Sequence, residues 1–145
     1  MIVALGSDHA GYAHKEAVQV HLRSLGHTVL DCGTDSAEAC DYPDFIRPAA
    51  LAVANGEADR GIVFGGSGNG EAIVANRVAG IRCAVCWSEE TAILARRHND
   101  ANMISLGERL VPLETALRIV DLFLSEPFDG GRHARRIAKI DEPFA

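Results

Sequence analysis

The sequence predicts a three-layer, Rossmann-like α/β fold, in which a parallel five-stranded sheet lies between two layers of helices in a single domain over residues 1–145. Short β-branched runs alternate five times with longer segments of helical periodicity. The length of 145 residues is close to the commonest domain size, and 48% of the residues are hydrophobic. These observations together indicate one packed core around one sheet.

Five apolar and β-branched runs predict the strands of the sheet. Parallel neighbours are joined by right-handed crossovers through helices, so we expect the strand order 2-1-3-4-5 of a doubly wound fold. The predicted strands are Ile2–Gly6, Thr28–Cys32, Arg60–Phe64, Arg82–Trp87 and Asn102–Leu106.

Helices are predicted between the strands because apolar residues recur at intervals of three and four. Val18, Leu22 and Leu25 form such a stripe, and Gly26 follows it as a stop signal. A helical extension is also expected near the C-terminus, in the segment RHARRI (132–137). The other predicted helices cover residues 10–25, 43–55, 69–79, 88–98 and 112–125.

The charge balance excludes two classes of partner. Fourteen basic and twenty acidic residues give a net charge of −6, whereas nucleic acids and anionic membranes are bound by broad basic faces. No apolar run approaches the roughly 18–20 residues that span a bilayer. The N-terminus also lacks the basic and apolar regions of a signal peptide. We therefore expect a cytoplasmic protein with no nucleic-acid or membrane partner.

The cysteines do not indicate a redox or metal centre. Cys83 and Cys86 have the spacing of a redox pair, but they lie in RCAVCW, a predicted strand. Three residues apart on a strand, their thiols should face opposite sides of the sheet. We expect these two, together with Cys32 and Cys40, to be structural thiols.

The predicted topology brings two segments to one edge of the sheet. Ligands of such sheets bind beyond the carboxyl ends of the strands, where the strand order reverses, here between strands one and three. Asp8 and His9 directly follow strand one, and the glycine-rich loop GGSGNGE (65–71) follows strand three. We expect these segments to form one site.

The loop does not match the common glycine motifs. Gly65 and Gly70 have the spacing of a P-loop, but Glu71 stands where its lysine belongs and would repel a triphosphate. The dinucleotide fingerprint lacks its third glycine, and the hydrolase elbow fails at Asn69. The remaining feature is a strand–loop–helix junction, whose backbone N–H groups converge on an anion at the helix N-terminus.

Glu71 has two interpretations at this junction. An acidic residue in the first helical turn often only complements the helix dipole. Alternatively, Glu71 is a general base beside a hole for negative charge, the combination that removes a proton next to a carbonyl and stabilises the enediolate.

Three basic segments are further candidates for the site. Arg97-His98-Asn99-Asp100 precedes strand five, and we expect it at the carboxyl edge of the sheet, either as a helix cap or as part of the site. Arg109 follows strand five on that edge. Arg132 and Arg136 form either a solvated basic face or a pair that binds phosphate.

These segments together resemble the ribose-5-phosphate isomerase B family, which includes the galactose-6-phosphate isomerase subunits. The resemblance extends over nearly the whole chain. It rests on GSDHAGY (6–12), DCG (31–33), DYPDF (41–45), GIVFGGSGNGEAIVANRVAGIRCAVCW (61–87), ARRHNDANMISLGER (95–109) and RHARRI (132–137).

The resemblance implies roles for the residues near the sugar and the developing charge. Asp8 and His9 contact the sugar, Tyr42 lines the pocket, His98 promotes opening of the furanose ring and Asn99 binds the sugar beside it. The residues that form the anion hole over the enediolate are Gly66, Ser67, Gly68 and Gly70.

The resemblance also implies how phosphate is held and how the protein assembles. In this family the site lies between two subunits, and C-terminal arginines reach across from the partner in a homodimer, with a tetramer left open. No metal or organic cofactor is expected. The residues that resemble the phosphate-binding set are Arg109, Arg132, His133 and Arg136.

One departure from the family pattern concerns the base. Many members carry a cysteine base at the position of Gly65, and glycine cannot abstract a proton. The resemblance therefore implies that Glu71 is the base and that no cysteine is essential.

The resemblance implies a phosphosugar as substrate. Ribose 5-phosphate is the expected one, and allose 6-phosphate, galactose 6-phosphate and erythrulose 4-phosphate are alternatives. A non-catalytic phosphosugar-binding subunit is a second hypothesis, although binding alone needs neither a base nor an acid. A metal hydrolase built on Asp8, His9 and His98 is disfavoured because these residues lack a compact ligand spacing.

Overall fold

The computed structural model describes residues 1–143, in which five parallel strands form one sheet. The predicted strands are all present, with ends within about two residues of the expected ones. They are β1 (Ile2–Ser7), β2 (Thr28–Asp31), β3 (Arg60–Gly65), β4 (Cys83–Val85) and β5 (Met103–Gly107).

Helices connect the strands as predicted, and a short 3-10 turn at His9–Gly11 precedes the first. None of the helices in the described part of the chain is long and apolar enough to cross a membrane. The helices are α1 (Tyr12–Ser24), α2 (Tyr42–Ala54), α3 (Asn69–Asn76), α4 (Glu89–Asn99), α5 (Leu113–Ser125) and α6 (Arg132–Ala138). The expected C-terminal helical extension is α6, which packs on α4.

The strand order is β2-β1-β3-β5-β4, so the predicted positions of the last two strands were wrong. All five residues of β5 are buried, and it carries apolar side chains on both faces, as a central strand requires. β4 has only three residues, all half-buried, and therefore occupies the edge. The strand order still reverses between β1 and β3, as predicted. Strand β5 adjoins the glycine loop, because Gly65 at the end of β3 pairs with Gly107 at the end of β5.

Two hydrophobic clusters cover the two faces of the sheet and confirm the three layers. Alternation along β1 and β3 sends neighbouring side chains to opposite faces: Leu5 and Phe64 point to one side, Ala4 and Val63 to the other. The first face is covered by α1, α4 and α5, and the second by α2 and α3. Both faces of the central strands are thus shielded from solvent.

A buried lysine holds the end of β2 beside the end of β1. Lys15 is fully buried, and its Nζ donates to Asp31 Oδ2 at 2.7 Å and to Glu16 Oε1 at 2.8 Å. A Cβ on Gly33 would lie 2.6 Å from Lys15 Cδ, so only glycine fits there. The backbone N–H of Thr34 then donates to the Ser7 carbonyl, which brings the loop after β2 next to Asp8.

Candidate active site

Asp8 lies at the carboxyl end of β1, as the sequence predicted. Its carboxylate caps the 3-10 turn, with Oδ1 accepting from the backbone N–H groups of Ala10 at 3.0 Å and Gly11 at 3.2 Å. The side chain is almost fully buried. These two hydrogen bonds hold the Asp8 carboxyl group in one orientation at the point where the strand order reverses.

The glycine loop is held by the neighbouring strand β5. Gly68 is the N-cap of α3 and has φ of +86°, a left-handed conformation that favours glycine. The buried Ser105 hydroxyl donates to the Gly68 carbonyl at 2.7 Å. A Cβ on Gly107 would lie 2.5 Å from the Ser67 backbone, so β5 and the loop are in close contact.

Sequence reasoning missed Ser105. It is a small polar residue inside the otherwise apolar strand MISLG, and that contrast was the available signal. A hydroxyl fully buried in a central strand needs an acceptor, and here the acceptor belongs to the loop. Ser105 therefore fixes the Gly68 peptide in its left-handed conformation.

The Glu71 carboxyl group fills the space that a side chain at position 65 would take. A Cβ built on Gly65 would overlap the Glu71 carboxyl group. The side chain is 4% exposed, and its Oε2 has no hydrogen-bond partner in the described residues. Gly65 is thus required by Glu71, because any larger residue would displace the carboxylate.

The electrostatic surroundings of Glu71 raise the pKa of its carboxyl group. Burial is the main cause, and the negative charge of Asp8 acts in the same direction. The backbone N–H groups of Glu71 and Gly68 lower the pKa but do not outweigh burial. The N–H groups at the helix N-terminus lower the pKa of Glu71 and burial raises it, and the effect of burial is the larger.

Two more predicted side chains lie around this loop. The backbone N–H of Arg109 donates to the Gly66 carbonyl at 3.1 Å, and its guanidinium Cζ lies 3.2 Å from the Cβ position of Gly66. The Tyr42 ring covers Gly70, with Cζ 2.8 Å from the Cβ position there. We call Asp8, His9, Tyr42, the loop 65–71 and Arg109 the carboxyl-edge group.

His9 completes the carboxyl-edge group from the start of the 3-10 turn. Its Nδ1 accepts from the backbone N–H of Cys40 at 3.2 Å, which fixes the ring and leaves Nε2 as the nitrogen available to a ligand. The side chain is half-buried, while Tyr42 and Arg109 are exposed. The group therefore combines a buried carboxylate with solvent-accessible polar side chains.

His98 and Asn99 do not lie at the carboxyl edge, and that prediction was wrong. Helix α4 begins beyond the carboxyl end of β4, where Ser88 caps it, and runs back antiparallel to the strands. Its 11 residues span about 16 Å. The Asn99 carbonyl accepts from Arg82 Nε at 3.0 Å, just before β4 begins. Residues that precede a strand lie at its amino end, so His98 and Asn99 lie at the opposite edge.

Helix α6 joins this second location. The His133 ring stacks on that of His98 with centroids 4.3 Å apart and an interplanar angle of 12°. Burial lowers the pKa of His133, and the neighbouring His98, Arg132 and Arg136 lower it further. A cavity of about 370 Å³ lies here, lined by His98, Asn99, His133, Arg136, Ile137 and Ile140. We call His98, Asn99, Arg132, His133 and Arg136 the histidine–arginine group.

The cysteines behave as expected of structural thiols. Cys86 belongs to the hydrophobic cluster on one face of the sheet, and Cys83 packs against the cluster on the other, which confirms their opposite orientations. Burial raises the pKa of Cys86 to about 12 and that of Cys83 further. All four cysteines are free. Cys83 and Cys86 are therefore protonated near neutral pH.

Comparison with known sequences identifies the family. The Ribose/Galactose Isomerase family model matches residues 3–140. Ribose-5-phosphate isomerase B of Mycolicibacterium paratuberculosis is 50% identical over 144 residues, covering 98% of this chain and 91% of that protein. The enzyme of the same name from Escherichia coli is 46% identical, covering 95% and 93%.

Solved structures agree with the sequence comparison. Ribose-5-phosphate isomerase B of Clostridium thermocellum superposes with a TM-score of 0.96 at 50% identity, covering 97% of this chain and 95% of that one. The Mycoplasma genitalium protein, solved with bound ribulose 5-phosphate, gives 0.92 at 41% identity, with coverage of 97% and 93%. The chain belongs to the ribose/galactose isomerase family, within its ribose-5-phosphate isomerase B members.

Proposed function

We propose that this protein is an aldose–ketose isomerase, a single sugar-phosphate isomerase domain that interconverts ribose 5-phosphate and ribulose 5-phosphate through an enediolate. One observation carries the proposal: the buried Glu71 carboxyl group, whose Oε2 has no hydrogen-bond partner among residues 1–143, occupies the side-chain space of Gly65 beside the glycine loop. The relatives named ribose-5-phosphate isomerase B and the Mycoplasma structure with ribulose 5-phosphate support this substrate.

Glu71 is the base in this proposal. It removes the C2 proton of the open-chain aldose to give the enediolate and delivers a proton to C1, while the C2 hydroxyl loses its proton and O1 gains one. A base works best when its pKa approaches the working pH, and the raised pKa of Glu71 meets that requirement. Its Oε2 has no competing hydrogen bond within residues 1–143, so a substrate proton is an available partner.

The glycine loop holds the enediolate oxygen in this mechanism. Backbone N–H groups around Gly66, Gly68 and Gly70, with the Ser67 hydroxyl, lie at the N-terminus of α3, where they stabilise developing negative charge. Ser105 keeps that arrangement in place through Gly68. This electrostatic stabilisation serves the reaction without a metal or organic cofactor.

The sugar and its phosphate are bound by both groups described above. Asp8, His9 and Tyr42 surround the sugar, His98 promotes ring opening, and Asn99 contacts the sugar beside it. The guanidinium groups suit bidentate contacts to phosphate oxygens. The proposed phosphate ligands are Arg109, Arg132, His133 and Arg136.

A homodimer would bring these groups together. Within one chain His98 is separated from the carboxyl edge by the length of α4, about 16 Å, too far for both to touch one pentose phosphate. A two-fold pair of chains can place the histidine–arginine group of one against the carboxyl-edge group of the other, giving two equivalent sites. We also propose a cytoplasmic location, since the four free thiols suit a reducing compartment.

The test is proton exchange combined with replacement of the base. Ribose 5-phosphate incubated in D₂O with the wild type should exchange its C2 proton. Glu71→Gln should reduce kcat by about a hundredfold or more while leaving the fold intact. Glu114→Gln on α5, where the side chain is 88% exposed, is the matched control and should behave as wild type. Near-normal turnover of the Glu71 variant would remove Glu71 as the base.

The same assay decides between the alternative functions. Ribose 5-phosphate, allose 6-phosphate, galactose 6-phosphate and erythrulose 4-phosphate are compared side by side, and the highest kcat/KM identifies the substrate. Binding of phosphosugar without exchange of any proton would instead indicate a non-catalytic subunit.

A further inference from the structure

Three metal-ligating side chains converge outside the carboxyl-edge group. His98 from the end of α4, Asp129 from the loop before α6 and His133 from α6 each offer one ligand atom, and these atoms all lie within 4.8 Å of one another. The backbone holds the cluster together, because the Asp129 N–H donates to the Arg97 carbonyl at 3.0 Å. Three separate segments therefore present donor atoms to one point.

The three side chains are free to accept a ligand. Within residues 1–143, neither imidazole nor the Asp129 carboxylate has a side-chain hydrogen bond or ion pair. Every other histidine of the chain has a hydrogen-bond partner, so these two rings differ from the rest.

Two imidazoles and a carboxylate are a donor set that suits Zn²⁺ and related transition metals. Ligand atoms in a tetrahedral zinc site lie about 3.4 Å apart, so the present spacing of up to 4.8 Å must shorten, and the two stacked imidazole rings must tilt apart to aim their nitrogens at one ion. The adjacent cavity of about 370 Å³ gives access from solvent. A fourth coordination position remains for water or an anion.

We propose that His98, Asp129 and His133 bind a divalent transition metal, with Zn²⁺ as the favoured ion, and that this binding inhibits the enzyme. The inhibition rests on the proposed function, in which His98 opens the sugar ring; metal coordination occupies the ring nitrogen that this step uses. Arg132 and Arg136 stand beside the cluster and repel a dication. The metal is therefore a reversible inhibitor that competes with phosphosugar, and not a resident cofactor.

Direct binding of Zn²⁺ to the metal-free protein tests the site without any substrate. Equilibrium dialysis should give saturable binding of about one ion per chain. Asp129→Asn removes one ligand and should weaken binding by at least about tenfold. Glu90→Gln, which neutralises an exposed carboxylate on α4, is the matched control and should bind as the wild type does. Absence of saturable binding, or equal affinity of the Asp129 variant, overturns the proposal.

Inhibition is then measured on the whole enzyme. Zn²⁺ should raise the apparent KM for the phosphosugar with little change in kcat, and a chelator should restore activity. Asp129 takes no part in the proposed reaction, so Asp129→Asn should retain activity and lose sensitivity to Zn²⁺. An Asp129 variant as sensitive as wild type refutes the inhibitory role. Zinc binding by a chain that turns over no phosphosugar would refute the proposed function and leave the site intact.

Discussion

Mixing two inactive variants tests whether the active site is shared between two chains. Glu71→Gln removes the proposed base in the carboxyl-edge group, and His98→Asn removes the proposed ring-opening residue in the histidine–arginine group. We expect turnover to fall about a hundredfold or more in the first and at least about tenfold in the second. The two residues lie at opposite edges of the sheet, so each change leaves the surroundings of the other intact.

The size of the recovery follows from the geometry. If each site takes Glu71 from one chain and His98 from its partner, a mixed dimer contains one site with both replacements and one fully native site. A purified mixed dimer should therefore show about half of the wild-type activity. Random reassociation makes half of the dimers mixed, which gives about a quarter of the wild-type activity.

The assay uses two differently tagged chains that are co-expressed and purified through both tags. Isomerisation of ribose 5-phosphate is followed in the mixed dimer and in each parent, and mass measurement verifies the dimer and reveals any tetramer. A mixed dimer no more active than the average of its parents would mean that each site lies within one chain. Tagged wild-type chains mixed in the same way provide the reference.

Four further predictions concern the proposed base, its support and the cysteines. The raised pKa of the Glu71 carboxyl group in the free protein should move the acidic limb of kcat/KM to higher pH than an ordinary glutamate would give. The folded protein holds this proton more tightly than the unfolded chain, so wild-type stability should fall as pH rises through the folded-state pKa, and Glu71→Gln should lack this loss in thermal melts. Gly65→Ala should lower both Tm and kcat, because the new methyl group overlaps the Glu71 carboxyl group. Adding Glu71→Ala removes the overlap and should restore Tm but not kcat. If Gly65→Ala instead strains some other contact, the second replacement will not restore Tm. Ser105→Ala removes the hydrogen bond to the Gly68 carbonyl and should lower kcat more than it raises KM, and Ser105→Thr should recover kcat. Replacement of Cys83 and Cys86 by alanine should keep kcat within about twofold of the wild-type value.

Family motifs and strand–helix alternation predicted most of the fold. The failure in strand order has a specific cause: both RCAVCW and NMISL are apolar runs, and their burial differs only once neighbours are known. Strand β5 has apolar side chains on both faces, and both are buried when it lies next to β3, because helices cover the sheet on both sides there. The local periodicity of the sequence does not determine which of β4 and β5 lies at the edge of the sheet.

The candidate site, like the fold, was predicted in part. The sequence determined that Asp8 and the loop 65–71 meet, because the ends of β1 and β3 are neighbours in either strand order. The prediction for His98 was wrong because a residue that precedes β5 was assigned to the carboxyl edge of the sheet. A helix that connects two parallel strands must run antiparallel to them, so the end of α4 lies at the amino edge.

The sequence by itself determined the fold class, the strand ends and the chemical types in the site, since these depend on local periodicity and on motif spacing. Only the tertiary structure decided that the Glu71 carboxylate occupies the space of Gly65, that Ser105 holds Gly68, and that the carboxyl-edge and histidine–arginine groups lie on opposite edges of the sheet. These features depend on packing between segments far apart in the chain, where side-chain volume and burial select one arrangement.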